Sequence, residues 1–339
     1  MKRKFIIHAG MSKTGSSSIQ AALKLSTNIL KKNHKKYLGL MFEEVDGEKH
    51  PWQTPHGWQK FKTGNKEEVN QQLTNILLRL HKETKKDIDT FIWSNEGIIS
   101  DIGYFYDAIC NVSDYYDFQV VAYIRGPDTW GLSAYLQWGI KHKCYEGPVK
   151  SFRQWAQERK YRFGRKMQKC MEQYHDVKFY NFDSIDDITS HFFRVVLGID
   201  DSGIDYPKVN TTVSPALLSL WAYYNSWNDG EVRAAEFARI LSNSGMLDKP
   251  VPVIDFNDLM PGKKDMDNYV KQSAKELILV NQILKSMGQE EIKLSQKPLE
   301  EFSVNQEQLN LVLIKIIGSL YDRIETLEKI TFKNPLAKD

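Results

Sequence analysis

The chain of 339 residues has few cysteines, no long apolar segment and almost no net charge. Its three cysteines, Cys110, Cys144 and Cys170, lack CxxC or metal-ligand spacing, so we expect free thiols in a reducing compartment. No apolar run approaches the roughly 18–20 residues that a membrane-spanning helix needs. The basic start precedes only three apolar residues, too few for the apolar region of a signal peptide. We therefore expect a soluble, cytoplasmic protein without a membrane span.

The charged residues give no strong electrostatic preference for a partner. There are 46 basic and 43 acidic residues, for a net charge of +3, so the composition does not predict binding to nucleic acid. A basic run at residues 31–36 can attract a polyanion. Its simpler interpretation is the solvated end of the first helix, where the helix dipole favours cations. With 41% hydrophobic residues, the chain can bury one large core or two smaller ones.

Apolar runs alternate with segments of helical periodicity over the first two hundred residues. This alternation predicts an α/β fold with a parallel sheet covered on both faces, whose ligands collect at the carboxyl ends of the strands. The predicted strands are Lys4–His8, Thr90–Ser94, Gln119–Ile124 and Val177–Asn181. The predicted helices are Ser17–Leu30, Glu67–His81, Asp128–Lys141, Arg165–Tyr174 and Ser184–Leu197.

From about residue 200 the pattern is helical, without internal repeats or a low-complexity linker. We expect helices over Ser214–Ser226, Glu231–Ser242, Asp265–Met287 and Gln306–Glu328. We assign residues 1–295 to the α/β domain and residues 296–339 to a C-terminal helical extension. The apolar stripe of the last helix either packs on its own domain, which we favour, or forms the seam of a homodimer.

The most informative segment is residues 4–20, KFIIHAGMSKTGSSSIQ. A short apolar run leads into a loop with Gly10, Lys13 and Gly15, and a helical pattern follows. The first N–H groups of a helix lack backbone acceptors and carry partial positive charge, which makes such a junction an anion site. Lys13 adds an ammonium group. Further hydrogen-bond donors are the hydroxyl groups of Thr14, Ser16, Ser17 and Ser18. The segment therefore predicts a phosphate-binding loop, against the alternative of an ordinary solvated turn.

The position of the lysine distinguishes this loop from a Walker A motif, in which lysine follows the second glycine. Here Lys13 precedes Gly15. The loop instead resembles the 5′-phosphosulfate loop of sulfotransferases that use 3′-phosphoadenosine 5′-phosphosulfate (PAPS), especially the bacterial and carbohydrate branch. The matching residues are Lys13-Thr14-Gly15-Ser16-Ser17, with Ser12 in place of the family's proline. The resemblance implies a P-loop-like three-layer α/β/α fold.

A second motif begins where the strand Gln119–Ile124 ends. Arg125 follows at once, and Ser133 lies in the first turns of the next helix. Arginine at a strand end can hold phosphate in a bidentate manner. The Arg-(seven residues)-Ser spacing resembles the 3′-phosphate-binding element of the sulfotransferases, although Gly126 stands where the family often has aspartate. Its alternative interpretation is a surface cation and a neutral helix residue.

A third motif ends the strand Thr90–Ser94 with a carboxylate, Glu96. It resembles the Ser-Ser-Glu segment of the carbohydrate branch, with Asn95 as the second residue. Transfer to a hydroxyl needs a base, and a partly desolvated glutamate suits that role. The alternative is that Glu96 caps or pairs with the next helix. His56, in a loop rich in Trp and Pro, is the second candidate base. This loop either binds the acceptor or is simply packed by its own side chains.

The resemblance implies transfer of a sulfuryl group from PAPS to an acceptor hydroxyl, on a carbohydrate by family expectation. Lys13 would stabilise the leaving phosphate, residues 12–18 would hold the 5′-phosphate, and Arg125 with Ser133 the 3′-phosphate. The product is 3′,5′-ADP, and no metal is implied because the lysine and helix terminus replace Mg²⁺. Two alternatives remain open at this point: a P-loop kinase or NTPase using Mg-ATP, and a non-catalytic nucleotide- or glycan-binding protein.

Overall fold

A computed structural model of the protein describes residues 2–47, 49–84, 87–202, 204, 206, 215–227, 230–231 and 256–295, with single positions between 305 and 327. The chain forms two compact units. Unit 1 comprises Met1–Trp130, Tyr161–Thr211 and Gln272–Ser295, and unit 2 comprises Gly131–Lys160, Thr212–Lys271 and Gln296–Asp339. The proposed boundary at residue 295 stays a prediction, because most of residues 296–339 lie outside the described part.

Unit 1 contains a five-stranded, all-parallel sheet, which confirms the predicted α/β class. Its strands are β1 (Arg3–Ala9), β2 (Lys35–Tyr37), β3 (Thr90–Asn95), β4 (Tyr116–Ile124) and β5 (Val177–Asn181). The spatial order is β2-β3-β1-β4-β5. The central strand β1 is thus hydrogen-bonded to β3 on one side and to β4 on the other, with Ile7 opposite both Trp93 and Val120.

Helices connect the strands and continue after them. Those of the described residues are α1 (Ser16–Leu25), α2 (Thr27–Lys32), α3 (Pro55–Phe61), α4 (Lys66–Glu83), α5 (Ile98–Asp101), α6 (Tyr106–Asn111), α7 (Pro127–Ala134), α8 (Phe152–Glu158), α9 (Phe163–Gln173), α10 (Ile188–His191), α11 (Pro215–Trp227), α12 (Phe256–Leu259) and α13 (Lys263–Ser286). Short 3₁₀ helices cover Ile102–Tyr104 and Phe182–Ser184, and π-helical turns cover Tyr135–Lys141 and Phe192–Val196.

Both faces of the sheet are covered by helices. On one face, Ile6, Ile92 and Val121 are buried with apolar residues of α1, α2 and the segment from α10 to residue 199. On the other, Phe5 packs against Phe91, Phe118 and Tyr116. The hydroxyl of Tyr116 there donates to the carbonyl of Leu77 in α4, at 2.8 Å. Alternate residues of the central strands therefore face two apolar layers, as expected for a doubly covered parallel sheet.

Unit 2 packs helices around Tyr135, which is fully buried. The tyrosine oxygen lies 2.9 Å from the carbonyl oxygens of both Lys150 and Leu259, which share its single O–H donor. Its ring meets Phe152 and Trp155 in edge-to-face geometry. The π-helical turn begins at this residue, whose ring is buried and whose hydroxyl is hydrogen-bonded, as is usual for a buried tyrosine.

The structure corrects three details of the sequence prediction. Lys35 and Lys36 form the short edge strand β2 instead of ending the first helix; edge strands accept lysine because one side of their backbone faces away from the sheet. The first helix breaks at Ser26. The predicted helices 128–141 and 184–197 widen into π turns. The predicted helix 231–242 and most of the last helix, with its dimer seam, lie outside the described residues.

Candidate functional site

The loop after β1 has a backbone shape that few residues adopt. Lys13 and Gly15 both have positive φ, 64° and 79°, and for a lysine this conformation costs about 1–2 kcal/mol. The buried hydroxyl of Thr14 donates to the carbonyl of Met11 within the loop. Thr14 therefore stabilises the turn. Its hydroxyl, which we predicted to face the phosphate, instead forms a hydrogen bond within the loop. Strain of this kind concentrates at functional sites.

The start of α1 offers polar groups that the protein itself does not use. Gly15 precedes α1. No side chain caps the N-terminus of this helix, and the first turn of the helix has no acidic residue. The hydroxyl of Ser16 is buried without a hydrogen-bond partner. A Cβ at Gly10 would lie 2.3 Å from that hydroxyl oxygen and 3.2 Å from the Glu96 Cα, so a larger residue there would force its neighbours to shift. A buried unpartnered hydroxyl beside uncapped N–H groups is what an anion site requires.

Glu96 lies directly after β3, next to this loop, and is half-buried. Burial raises the pKa of its carboxyl, while a hydrogen bond from the Lys13 backbone N–H and the Lys13 ammonium act in the opposite direction. Burial has the largest effect. The carboxylate is therefore a stronger base than an exposed glutamate and lies within electrostatic reach of Lys13.

The Lys13 ammonium lies between charges of opposite sign. Burial lowers its pKa most, Glu96 raises it and Arg125 lowers it further. Lys13, Glu96 and Arg125 are thus near neighbours, although Lys13 comes more than eighty residues before the other two along the chain. They follow β1, β3 and β4, which are adjacent in the sheet.

Arg125 is held on several sides. Its Nε donates to the Thr129 hydroxyl at 3.0 Å, and one Nη donates to the Lys13 carbonyl at 3.1 Å. The Asp183 carboxylate is 3.7 Å from Nε, and the guanidinium lies over the Phe182 ring at 5.3 Å. Only two of its five N–H donors are used in these hydrogen bonds. The side chain is therefore fixed beside the loop by several contacts.

Asp183 is a residue that the sequence interpretation missed. One carboxylate oxygen accepts the Gly126 N–H at 2.7 Å, and the other accepts the Thr129 hydroxyl at 3.2 Å. Burial raises its pKa, against these hydrogen bonds and the Arg125 charge. Asp183 follows β5 by two residues, so the rule that identified Glu96 and Arg125, a polar residue just after a strand, would also have found it.

A buried hydrogen-bonded pair, His8 and Ser94, lies in the sheet just before the phosphate loop and Glu96. His8 of β1 is fully buried, and its Nδ1 is 2.7 Å from the hydroxyl of Ser94 in β3. Burial lowers the pKa of His8 to about 3, so the ring is neutral. The Gln20 side chain of α1 donates to the Ser94 carbonyl at 3.3 Å. These contacts join the ends of β1 and β3 that carry the loop and Glu96.

Asn95, which stands in place of a serine of the family, has a structural role. Its amide donates to the Leu40 carbonyl at 2.8 Å and accepts the Gly97 N–H at 3.0 Å. The Trp93 indole also donates to Leu40, at 2.9 Å. Asn95 thereby fixes the turn that presents Glu96.

The remaining predicted residues are placed as follows. The Ser12 carbonyl accepts a hydrogen bond from the Trp130 indole at 3.1 Å, Ser17 is exposed and Ser18 half-buried. Ser133 is half-buried in the second turn of α7 and belongs to unit 2. Its role toward phosphate stays a prediction.

His56 lies on the exposed surface of α3. The tryptophans beside it are not exposed for stacking on a sugar, because Trp52 and Trp58 are 7% and 8% exposed. Trp52 stacks on Phe61 at 4.2 Å, and Trp58 on Phe105 at 5.7 Å. The Trp-rich segment is thus packed by its own side chains, the alternative left open above. Among the described residues no contact joins His56 to Lys13 or Glu96.

Comparison with models of known protein families, with curated proteins and with solved structures finds no match. The resemblance to the sulfotransferases therefore rests on three short motifs and on the positions of their residues. In the described part of the chain, no helix has the length and apolar character required to span a membrane.

Proposed function

We propose that the protein is a PAPS-dependent sulfotransferase with a P-loop-like donor site, acting on an acceptor hydroxyl, by family expectation that of a carbohydrate. One observation carries the proposal: the loop of Lys13, the carboxylate of Glu96 and the guanidinium of Arg125 follow three adjacent strands, β1, β3 and β4. An anion loop, a base and a second phosphate ligand are the groups that this reaction requires.

The residues present fit an adenosine bisphosphate. The unpartnered Ser16 hydroxyl and the uncapped N–H groups of α1 would hold the 5′-phosphate, together with Ser17 and Ser18. Arg125, with further donors available, would hold the 3′-phosphate. Such positioning by fixed donors can supply much of the rate enhancement in group transfer.

PAPS, when bound, supplies the sulfuryl group that is transferred. Lys13 brings a positive charge to the loop, where it would stabilise negative charge that develops on the leaving phosphate. Its backbone carbonyl and N–H contact Arg125 and Glu96. These two contacts connect the Glu96 and Arg125 side chains to the backbone of Lys13.

Glu96 is the proposed base. Its raised pKa follows from burial, and a carboxylate of higher pKa accepts a proton more readily. A carboxylate oxygen of Glu96 would take the hydroxyl proton of the acceptor as the oxygen attacks. His56 remains the second candidate, although its exposed position on α3 offers no comparable environment.

Transfer of label from radiolabelled PAPS to a panel of oligosaccharides tests this proposal. We expect the wild type to transfer label, Lys13→Met to be slower by about 10²–10³-fold and Glu96→Gln by about 10²–10⁴-fold. The matched control Lys24→Met changes the same charge at the far end of α1. A wild type no faster than Lys13→Met on every acceptor would contradict the proposal and favour a binding protein.

A further inference from the structure

The guanidinium of Arg125 is held at two different nitrogens. Its Nε donates to the hydroxyl of Thr129 at 3.0 Å, and one Nη donates to the carbonyl of Lys13 in the phosphate loop at 3.1 Å. Because a guanidinium is planar and rigid, contacts at two nitrogens fix its orientation. In the described part of the chain Arg125 makes no other hydrogen bond, so the second Nη keeps both of its N–H donors in a fixed direction.

The Thr129 hydroxyl links Arg125 to a carboxylate. A guanidinium has no acceptor atom, so Arg125 must donate and the hydroxyl oxygen must accept. The single hydrogen of the hydroxyl is then directed to Asp183 at 3.2 Å, since the Gly126 carbonyl is farther away, at 3.5 Å. The Asp183 carboxylate also accepts the Gly126 N–H at 2.7 Å. The chain Arg125–Thr129–Asp183 therefore has only one direction of donation, in which each hydrogen bond strengthens the next.

Two neighbouring strands place the members of this chain. Arg125 directly follows β4, and Thr129 lies four residues later in the first turn of α7. Asp183 follows β5, and its N–H donates to the side chain of Asn181 at the end of that strand, at 3.0 Å. Because β4 and β5 are adjacent and parallel, the chain joins the carboxyl ends of two strands and has a fixed base on both sides.

A third contact places the guanidinium beside the start of α1. The group lies over the ring of Phe182, 5.3 Å from the centroid. A Cβ on Gly15, the residue before α1, would lie 3.4 Å from the same ring. The ring therefore packs between the helix start and Arg125. Together with the contact to the Lys13 carbonyl, this places the unused Nη close to the phosphate loop.

We propose that Thr129 is a positioning residue that directs the unused Nη of Arg125 to the 3′-phosphate, and so sets the preference for a nucleotide with this phosphate over one without it. The inference rests on the proposed function and names a determinant of its donor specificity. Without the hydroxyl, Nε would lack its acceptor, and the nearest replacement is the Asp183 carboxylate, 3.7 Å away. The guanidinium would turn toward that charge, and its Nη would leave the direction that the phosphate requires.

Calorimetric titration of the full chain with 3′,5′-ADP and with 5′-AMP tests the inference. Thr129→Val keeps the shape of the side chain without its hydroxyl, Thr129→Ala gives a second variant that lacks it, and Thr129→Ser restores it. The matched control is Thr27→Val, an exposed threonine of α2 whose hydroxyl donates to the Lys24 carbonyl at 2.9 Å. Thr129→Val is also combined with Arg125→Lys, and thermal unfolding checks that each variant folds.

We expect Thr129→Val to weaken 3′,5′-ADP roughly three- to tenfold, as for the loss of one hydrogen bond, and to leave 5′-AMP unchanged. Thr129→Ser and Thr27→Val should bind both ligands within about twofold of the wild type. In the Arg125→Lys protein, the valine should change 3′,5′-ADP affinity by no more than about twofold, because Thr129 acts through the guanidinium.

Three results would overturn the inference: equal losses for the two ligands, a serine variant as weak as the valine variant, or the same loss from valine with and without Arg125. If Arg125→Lys still weakened 3′,5′-ADP selectively, the donor assignment would stand and only the role of Thr129 would be wrong. A wild type that binds 3′,5′-ADP no better than 5′-AMP would contradict the proposed donor site itself, and this inference with it.

Discussion

Replacement of Gly10 by alanine should damage both the stability and the ligand affinity of the protein. The new Cβ would lie 2.3 Å from the Ser16 oxygen, 3.1 Å from the Ser16 Cβ and 3.2 Å from the Glu96 Cα. Rotation of the Ser16 side chain can relieve only the first contact. The backbone of Glu96 or the loop must then shift by a few tenths of an ångström, which moves the proposed base relative to the loop.

The expected magnitude follows from these contacts. Overpacking in a well-filled core typically costs about 1–3 kcal/mol, and we expect Gly10→Ala to fall in that range. Ser16→Ala should be neutral or slightly stabilising, because it removes a buried hydroxyl that has no partner. The double variant should recover part of the loss, since the shortest contact is gone and the two near 3.1–3.2 Å remain.

Urea unfolding and titration with 3′,5′-ADP measure the two effects. We expect Gly10→Ala to weaken 3′,5′-ADP at least tenfold, and Ser16→Ala to weaken it without loss of stability. The control is Gly262→Ala, whose Cβ would meet nothing closer than 3.5 Å. A Gly10→Ala protein as stable and as strongly bound to 3′,5′-ADP as this control would refute the described packing of the loop.

Five further substitutions give separate tests. Glu96→Gln should lower the transfer rate by about 10²–10⁴-fold. Burial raises the pKa of Glu96, so the folded protein holds this proton more strongly than the unfolded chain does. In urea titrations, the wild type should therefore lose stability relative to this variant as the pH rises above 4.5. Arg125→Lys should weaken 3′,5′-ADP about tenfold or more and leave 5′-AMP nearly unchanged in calorimetry, because lysine lacks the bidentate geometry. Trp58→Ala should destabilise by about 3–5 kcal/mol, whereas exposed His56→Ala should change stability by less than about 0.5 kcal/mol. The lowered pKa of His8 means that the unfolded chain binds more protons, so stability should fall as pH drops from 6.5 toward 3, and His8→Phe should flatten that dependence.

The positions of Lys13, Glu96 and Arg125 could be predicted because Glu96 and Arg125 directly follow apolar strands and Lys13 lies in the loop after another. Parallel strands present their carboxyl ends at one edge of a sheet, so these residues could be grouped without knowledge of the strand order. The same rule also applies to Asp183, which lies two residues after β5 and which the sequence interpretation missed.

Other features could not be read from the sequence. The burial of Trp52 and Trp58 depends on Phe61, Phe105 and Trp93, whose proximity follows from the packing of α3 on one sheet face. The internal hydrogen bond of Thr14 depends on the left-handed backbone of the preceding lysine. Both depend on geometry that residue type and spacing do not determine.

The identity of the donor ligand is the central claim. Calorimetric titration of the wild type with 3′,5′-ADP, and separately with 5′-ADP plus magnesium, tests it most directly. The structure has a helix start without a cap and an arginine held beside the phosphate loop, so we predict tight binding of 3′,5′-ADP and much weaker binding of magnesium-ADP. Tight binding of magnesium-ADP without binding of 3′,5′-ADP would contradict the sulfotransferase account and identify a nucleoside-diphosphate site.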